Sequence, residues 1–130
     1  MSGKKFLLDT NIVISLFANE VSIIKSIDKA EEIFVPAIVF GELLYGAELS
    51  SRKEQNIKKL KEFSLICTII DCNFETAIEY ASIKGFLKRK GMPIPENDIW
   101  IAAISMQYQF SLATRDKHFD SIKNLKIVNW

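Results

Sequence analysis

Short apolar runs alternate with longer helical patterns along this chain of 130 residues. Short apolar runs of this kind are strand candidates. Segment 65–70 is a continuous β-branched run, so it predicts a strand that is covered on both faces. The five predicted strands are residues 5–8, 33–35, 65–70, 110–114 and 126–129.

Helical patterns lie between several of these runs. Pro36 suits the first position of a helix, and apolar residues follow it at helical spacing. Segment 53–63 is amphipathic, Asn73 can cap a third helix that Gly91 ends, and segment 96–109 forms a fourth. Strands that alternate with helices favour a parallel sheet with helices on both faces. We therefore predict a single α/β domain over residues 1–130.

Composition adds little to this fold prediction. Hydrophobic residues make up 48% and charged residues 25%, an ordinary globular balance, and the formal net charge of +1 neither indicates nor excludes nucleic-acid binding. Apolar runs are too short for a signal peptide or a membrane span, so we expect a cytoplasmic protein with no membrane partner. Cys67 and Cys72 are expected to be reduced, and His118 is the only histidine, which argues against a structural zinc site.

Four acidic residues fall where ligands bind in such a fold. The carboxyl ends of parallel strands form the ligand-binding edge of an open sheet, and Asp9 and Asp116 each follow a predicted strand. Glu42 lies in the helix after the second strand, and Asp98 opens the helix before the fourth. Each also has a structural explanation, since an acid at a strand end or helix start often caps a turn or opposes the helix dipole.

Glu42 is harder to explain structurally, because apolar residues flank it and a buried carboxylate is costly unless it is paired. Gly41 and Gly46 lie in the same helical pattern at a cost of about 1 kcal/mol each relative to alanine. We interpret these two glycines as signs of a close backbone approach near the acid.

The acids stand in recognisable motifs. Segments 7–12 (LLDTNI), 41–46 (GELLYG), 97–103 (NDIWIAA) and 114–119 (TRDKHF) resemble the PIN-domain nucleases in order and spacing. The chain is most similar to the VapC toxins of bacterial and archaeal toxin–antitoxin pairs, from about Phe6 to Trp130.

This resemblance implies a three-layer α/β/α PIN fold with a central parallel five-stranded sheet. It also implies RNA cleavage that depends on Mg²⁺ or Mn²⁺, with the acids Asp9, Glu42, Asp98 and Asp116 as catalytic metal ligands. Four clustered carboxylates repel one another, so at least one pKa should be raised. The expected partners are RNA, a VapB-type antitoxin and a second copy of the chain in a homodimer.

Other residues receive weaker assignments from the same motifs. Asn11 and Thr114 are expected to orient carboxylates or waters, and Asp120 is a further acid of lower weight. Arg115 and Lys117, which flank Asp116, are the better candidates for RNA contact, whereas Lys88 and Arg89 either contact phosphates or only oppose a helix dipole. His118 beside Phe119 is interpreted as a packing residue rather than a general acid.

Three alternatives stay open at this point. A phosphatase of the haloacid dehalogenase type also begins with an acid at a strand end, but it usually needs a second aspartate where this chain has Asn11. A non-catalytic PIN binding module is disfavoured because all four acids are present. RNA-processing or DNA-cleaving PIN nucleases outside toxin–antitoxin systems are the nearest alternative.

Overall fold

Five short parallel strands form the central sheet of the computed structural model, which describes residues 4–130. The order across the sheet is β3-β2-β1-β4-β5. In register, Leu7 pairs with Phe34 of β2 and with Leu112 of β4. The strands are β1 (Lys5–Leu8), β2 (Glu32–Pro36), β3 (Thr68–Ile70), β4 (Ser111–Ala113) and β5 (Ile127–Val128). The predicted five-stranded parallel sheet is confirmed.

Six α-helices connect the strands. A short 3-10 helix, Lys117–Ser121, follows β4. The helices are α1 (Thr10–Phe17), α2 (Val21–Lys29), α3 (Ala37–Glu48), α4 (Lys53–Ser64), α5 (Phe74–Lys90) and α6 (Glu96–Tyr108).

The direction of the chain places these helices in two layers. Crossovers between parallel strands are nearly always right-handed. The chain runs outward from β1 to β3 and then back across the sheet to β4, so α1 to α4 cover one face, and α5 and α6 cover the other. Helix contacts agree, because α3 packs on α1 and α4, and α5 packs on α6.

Local signals set several helix ends. Asp9 caps α1 with a side chain that accepts a hydrogen bond from the Thr10 backbone N–H. Asn73 and Thr76 form a reciprocal capping box at the start of α5. Gly91 ends that helix with φ of +66°, in the left-handed region that glycine adopts without strain. Both predicted ends of α5 are confirmed.

The sequence prediction differs from the structure in three places. No element was predicted for α1 or α2, which fill the interval after β1. The predicted strand 65–70 is wrong over residues 65–67, where the end of α4 turns into a short loop. The remaining strand, β3, lies at the sheet edge with Thr68 and Ile69 exposed, so it is not covered on both faces.

The interpretation of the two glycines of α3 is also wrong. A Cβ added at Gly41 or Gly46 would meet nothing within 4 Å. Both positions are exposed. Close approach of another backbone segment within residues 4–130 therefore does not explain them.

The core lies around the two central strands. Leu7 and Leu8 of β1 and Leu112 and Ala113 of β4 are fully buried, as is much of α6. Cys67 and Cys72 are free thiols in the structure. Within residues 4–130 no single helix has the length and apolarity to cross a membrane, although α1 and α2 pass that test as a pair bent by 112°.

Candidate active site

The four predicted acids lie on segments that meet at the carboxyl edge of the sheet. Asp9 directly follows β1, and Asp116 follows β4, its neighbour in the sheet. The Asp9 backbone N–H donates to the Ala113 carbonyl at 3.0 Å, which locks the two strand ends together. Pairing of the central strands thus brings together acids that are more than a hundred residues apart in sequence.

Asp9 is the deepest of the acids, with only 4% of its surface exposed. Its Oδ1 accepts from the Thr10 backbone N–H at 2.8 Å. Its Oδ2 accepts from the Thr114 hydroxyl at 2.7 Å and from the Asn11 amide at 3.2 Å. These bonds fix the orientation of the carboxylate, and the catalytic role predicted for Asn11 and Thr114 stays a prediction.

Asp98 and Asp116 are joined by a histidine. Nδ1 of His118 lies 3.1 Å from Oδ2 of Asp98 and 3.1 Å from Oδ1 of Asp116. Asp116 caps the 3-10 helix by accepting the His118 backbone N–H at 2.9 Å, and its own N–H donates to Thr114 Oγ1 at 3.0 Å. These three side chains form a group that could hold a metal ion.

His118 was interpreted from the sequence as a packing residue, and that interpretation is wrong. Its side chain is 51% exposed, whereas its neighbour Phe119 is fully buried. The residue missed by sequence reasoning therefore lies in the site. The sequence signal was weak: phenylalanine is buried more often than histidine, and His118 follows Asp116 by only two residues.

Glu42 reaches the same edge from α3 through polar neighbours. The Thr10 hydroxyl donates to Oε2 of Glu42 at 3.3 Å. The Asn97 amide donates to Oε1 at 3.5 Å, at the long limit of a hydrogen bond. Each neighbour is adjacent in sequence to an acid, Thr10 to Asp9 and Asn97 to Asp98. Glu42 is half-buried and belongs to the rim of the cluster.

The residues with weaker assignments are mostly exposed. Lys117 and Asp120 lie on the 3-10 helix, and Lys88 and Arg89 lie in the last turn of α5. Their roles stay predictions.

Arg115 differs from them because its guanidinium has structural partners. It forms an ion pair with Glu20 and donates to the Trp130 carbonyl at 2.8 Å. Its backbone N–H donates to Oδ1 of Asn11 at 3.2 Å, which links it to the residue that holds Asp9. These contacts favour a structural role, and the predicted RNA contact stays a prediction.

Burial is the main influence on the pKa of Asp9 and of Asp98. It raises the pKa of Asp9, and the hydrogen bond from Thr114 partly opposes that rise while the charge of Asp116 adds to it. Burial also raises the pKa of Asp98. The hydrogen bond with His118 partly opposes that rise, and the charges of Asp9 and Asp116 add to it. Neighbouring carboxylate charges thus add to the rise in pKa at Asp9 and at Asp98. Such a group gains from a divalent cation, since hard oxygen ligands hold Mg²⁺ and Mn²⁺.

These shifts predict a pH dependence of folding in the metal-free chain. A carboxyl with a raised folded pKa binds more protons when folded, so its contribution is fully present below the ordinary value of 3.8 and is lost as pH rises through the folded pKa. We expect Asp9 and Asp98 to make the free energy of unfolding fall as pH rises above 3.8, and Mg²⁺ at neutral pH to restore it.

Urea unfolding with a chelator, repeated at a series of pH values, measures this effect. Because other groups also titrate, the informative quantity is the difference from the double variant Asp9→Asn and Asp98→Asn, in which this part of the pH dependence should vanish. Identical pH profiles for the two proteins would contradict the assignment.

An α/β/α domain with an acidic cluster at the carboxyl edge of its parallel sheet is the arrangement that the sequence motifs imply, and the comparisons agree with it. The PIN domain family model matches residues 6–125. Ribonuclease VapC2 of Haemophilus influenzae is 34% identical over 129 residues, covering 97% of this chain and 98% of the relative. The tRNA(fMet)-specific endonuclease VapC of Salmonella typhimurium is 29% identical, with 97% and 98% covered.

A solved structure gives the same answer. The complex VapBC2 from Rickettsia felis, bound to a DNA fragment from its promoter, contains a chain that superposes with a TM-score of 0.90 at 31% identity. The alignment covers 97% of this chain and 98% of that chain. This chain belongs to the PIN domain family and, within it, to the VapC ribonuclease group.

Proposed function

We propose that this chain is an Mg²⁺- or Mn²⁺-dependent endoribonuclease that hydrolyses RNA phosphodiester bonds, and that it is the toxin of a toxin–antitoxin pair. The observation that carries the proposal is the convergence of Asp98 and Asp116 within reach of one ion, beside the buried carboxylate of Asp9. Membership of the VapC ribonuclease group supports it.

The four acids would have different roles in the site, according to how deeply each is buried. Asp9 accepts hydrogen bonds on both oxygens and would present its carboxylate at the base of the site. Asp98 and Asp116 are more exposed and would bind the cation directly, while Glu42 at the rim would act directly or through water. When bound, the cation would make a water molecule more acidic and would neutralise negative charge on the scissile phosphate. The polar neighbours Thr10, Asn11 and Thr114 keep the carboxylates in place.

The proposed partners follow from the group. We propose a VapB-type antitoxin, because the similar solved structure is a complex of VapB with VapC. We also propose a homodimer, and a cytoplasmic location in which RNA and antitoxin would both be encountered. Residues 1–130 would act together as one PIN domain.

Induced expression of the wild type and of Asp98→Asn in a bacterial host tests the activity. Wild type should arrest growth, and mapping of new RNA 5′ ends should reveal cleavage sites that Asp98→Asn lacks. Asp28→Asn changes the same functional group at an exposed position of α2 and should behave as wild type. Equal toxicity of wild type and Asp98→Asn, without new RNA ends in either, would contradict a catalytic role and favour a binding module.

A second prediction concerns the RNA path. Lys88 lines a groove with Glu96 and Ile99 at the start of α6, the helix that carries Asp98. Reversing the charge of Lys88 and Arg89 to glutamate should weaken RNA binding and lower its salt dependence by about 0.7 in slope for each lost phosphate contact.

The binding measurement uses the Asp98→Asn background, so that the RNA stays intact. Reversing Lys58 and Lys61 on α4 makes the same change in net charge on the other face of the sheet. If both double variants bind RNA equally, Lys88 and Arg89 only oppose the dipole of α5.

A further inference from the structure

The side chain of His118 lies between two acids of the site, Asp98 and Asp116. Its Nδ1 lies 3.1 Å from a carboxylate oxygen of Asp98 and 3.1 Å from one of Asp116. One ligand atom from each of the three residues lies within 4.8 Å of the others. One imidazole nitrogen and two carboxylate oxygens therefore lie close enough together to bind a single ion.

Local structure holds the imidazole in this position. Asp116 caps the 3-10 helix through the His118 backbone N–H, so the acid and the histidine share one rigid turn. Phe119, the next residue, is fully buried and anchors the turn in the core. The His118 side chain is consequently directed to the exposed side, toward Asp98 at the start of α6.

The spacing suits coordination as well as hydrogen bonding. Neighbouring ligands about 2.1 Å from an octahedral ion are about 3 Å apart, which is close to the separations seen here. A neutral imidazole can offer the Nδ1 lone pair to an ion while its proton resides on Nε2, and the 51% exposure of this side chain leaves that N–H open to water.

We propose that His118 is a metal ligand of the active site and that its nitrogen makes the site select Mn²⁺ and later transition metals over Mg²⁺. The inference rests on the metal-dependent function proposed above. Imidazole suits transition metals, whereas Mg²⁺ is bound through oxygen. An Asp98–Asp116–His118 ligand set therefore gives Mn²⁺ an additional bond that Mg²⁺ uses poorly.

A different role predicts the opposite effect. If His118 only balances the charge of the two acids, an entering ion displaces it. Removal of the imidazole would then raise the affinity for both metals, because a competitor would be lost.

Mn²⁺ spectroscopy distinguishes the two roles directly. The chain has one histidine, so protein made without a histidine tag and grown with ¹⁵N-histidine carries that label only at His118. Electron spin echo measurements on the Mn²⁺-loaded full chain should show coupling to ¹⁴N in unlabelled protein, replaced by ¹⁵N coupling in labelled protein. Mn²⁺ binding without any histidine coupling would overturn the proposal.

Affinities provide the second readout. His118→Ala should weaken Mn²⁺ binding, measured from the signal of the free ion, by about tenfold, with a smaller loss for Mg²⁺ measured by competition. Lys123→Ala, an exposed change after the same 3-10 helix, should leave both affinities unchanged. Tighter Mn²⁺ binding by His118→Ala would establish the displaced counter-charge instead.

The Asp98→Asn variant separates failure of this proposal from failure of the proposed function. If Mn²⁺ binds the wild type and Asp98→Asn abolishes binding, the acidic metal site stands whatever His118 does. If Mn²⁺ does not bind the wild type, both proposals fail.

Discussion

Replacing Asp9 by asparagine should reduce the rate of RNA cleavage by at least about 10³-fold at saturating Mn²⁺. The change keeps the size of the side chain but removes the negative charge at the base of the site. Stabilisation of transition-state charge by a bound ion contributes several kcal/mol, and each 1.36 kcal/mol is a factor of ten in rate. In either orientation, the asparagine amide also places its N–H₂ group against a present donor, the Thr10 backbone N–H or the pair Thr114 and Asn11, so the network that orients the site is disturbed.

Initial rates with a labelled RNA identified by 5′-end mapping measure this loss. Asp116→Asn should lose less, because Asp116 is 33% exposed at the side chain and solvent partly replaces it. Asp28→Asn on α2 serves as the exposed control, and circular dichroism verifies that each variant is folded. Retention of more than a tenth of wild-type activity by Asp9→Asn would remove Asp9 from the catalytic centre.

The position of Asp9 could be predicted because it depends only on the strands being parallel, which the alternation of strands and helices already indicates. Strands that alternate with helices predict a parallel sheet, and its carboxyl edge collects the residues that follow the strands. Asp9 and Asp116 meet this condition directly. Glu42 and Asp98 lie on helices, and only the resemblance to PIN-domain nucleases placed them in the same site.

Helix α1 was not predicted because its own sequence disfavours a helix. Thr10–Phe17 contains four β-branched residues, which lose side-chain freedom in a helix. Tertiary structure decides its conformation, since Asp9 caps the first turn and Ile12 and Val13 are fully buried. Burial in the core outweighs local propensity here.

The false strand at residues 65–67 has the opposite origin. Leu65 and Ile66 are apolar and look like part of a covered strand, yet they are 84% and 81% exposed in the turn after α4. Hydrophobicity predicts burial only where the rest of the fold can cover the side chain. Distinguishing the two cases requires knowing that β3 lies at the sheet edge.

His118 was missed for a reason of the same kind. The sequence shows a histidine beside a phenylalanine, and either of the two could be the core residue. The structure assigns the core position to Phe119, which leaves His118 at the acids.

Replacing Phe119 by alanine should lower the free energy of unfolding by about 3–5 kcal/mol, the usual range for a buried phenylalanine. Phe119 is fully buried and has the largest side chain among the fully buried residues of the described chain. Domains are typically stable by only 5–15 kcal/mol, so this single change should remove a large part of the total. Urea unfolding of the metal-free chain measures the change.

Phe74→Ala is the matched control, because Phe74 is 75% exposed and its loss should change the free energy of unfolding by less than about 0.5 kcal/mol. Phe119→Leu refills most of the cavity and should cost less than about 1.5 kcal/mol.

If Phe119 also anchors the turn that presents Asp116 and His118, Phe119→Ala should bind Mn²⁺ more weakly even when folded, and Phe119→Leu should recover most of that affinity. Loss of stability with unchanged Mn²⁺ affinity would show that Phe119 only packs in the core. The cap at Asp116 would then be what holds the geometry of the turn.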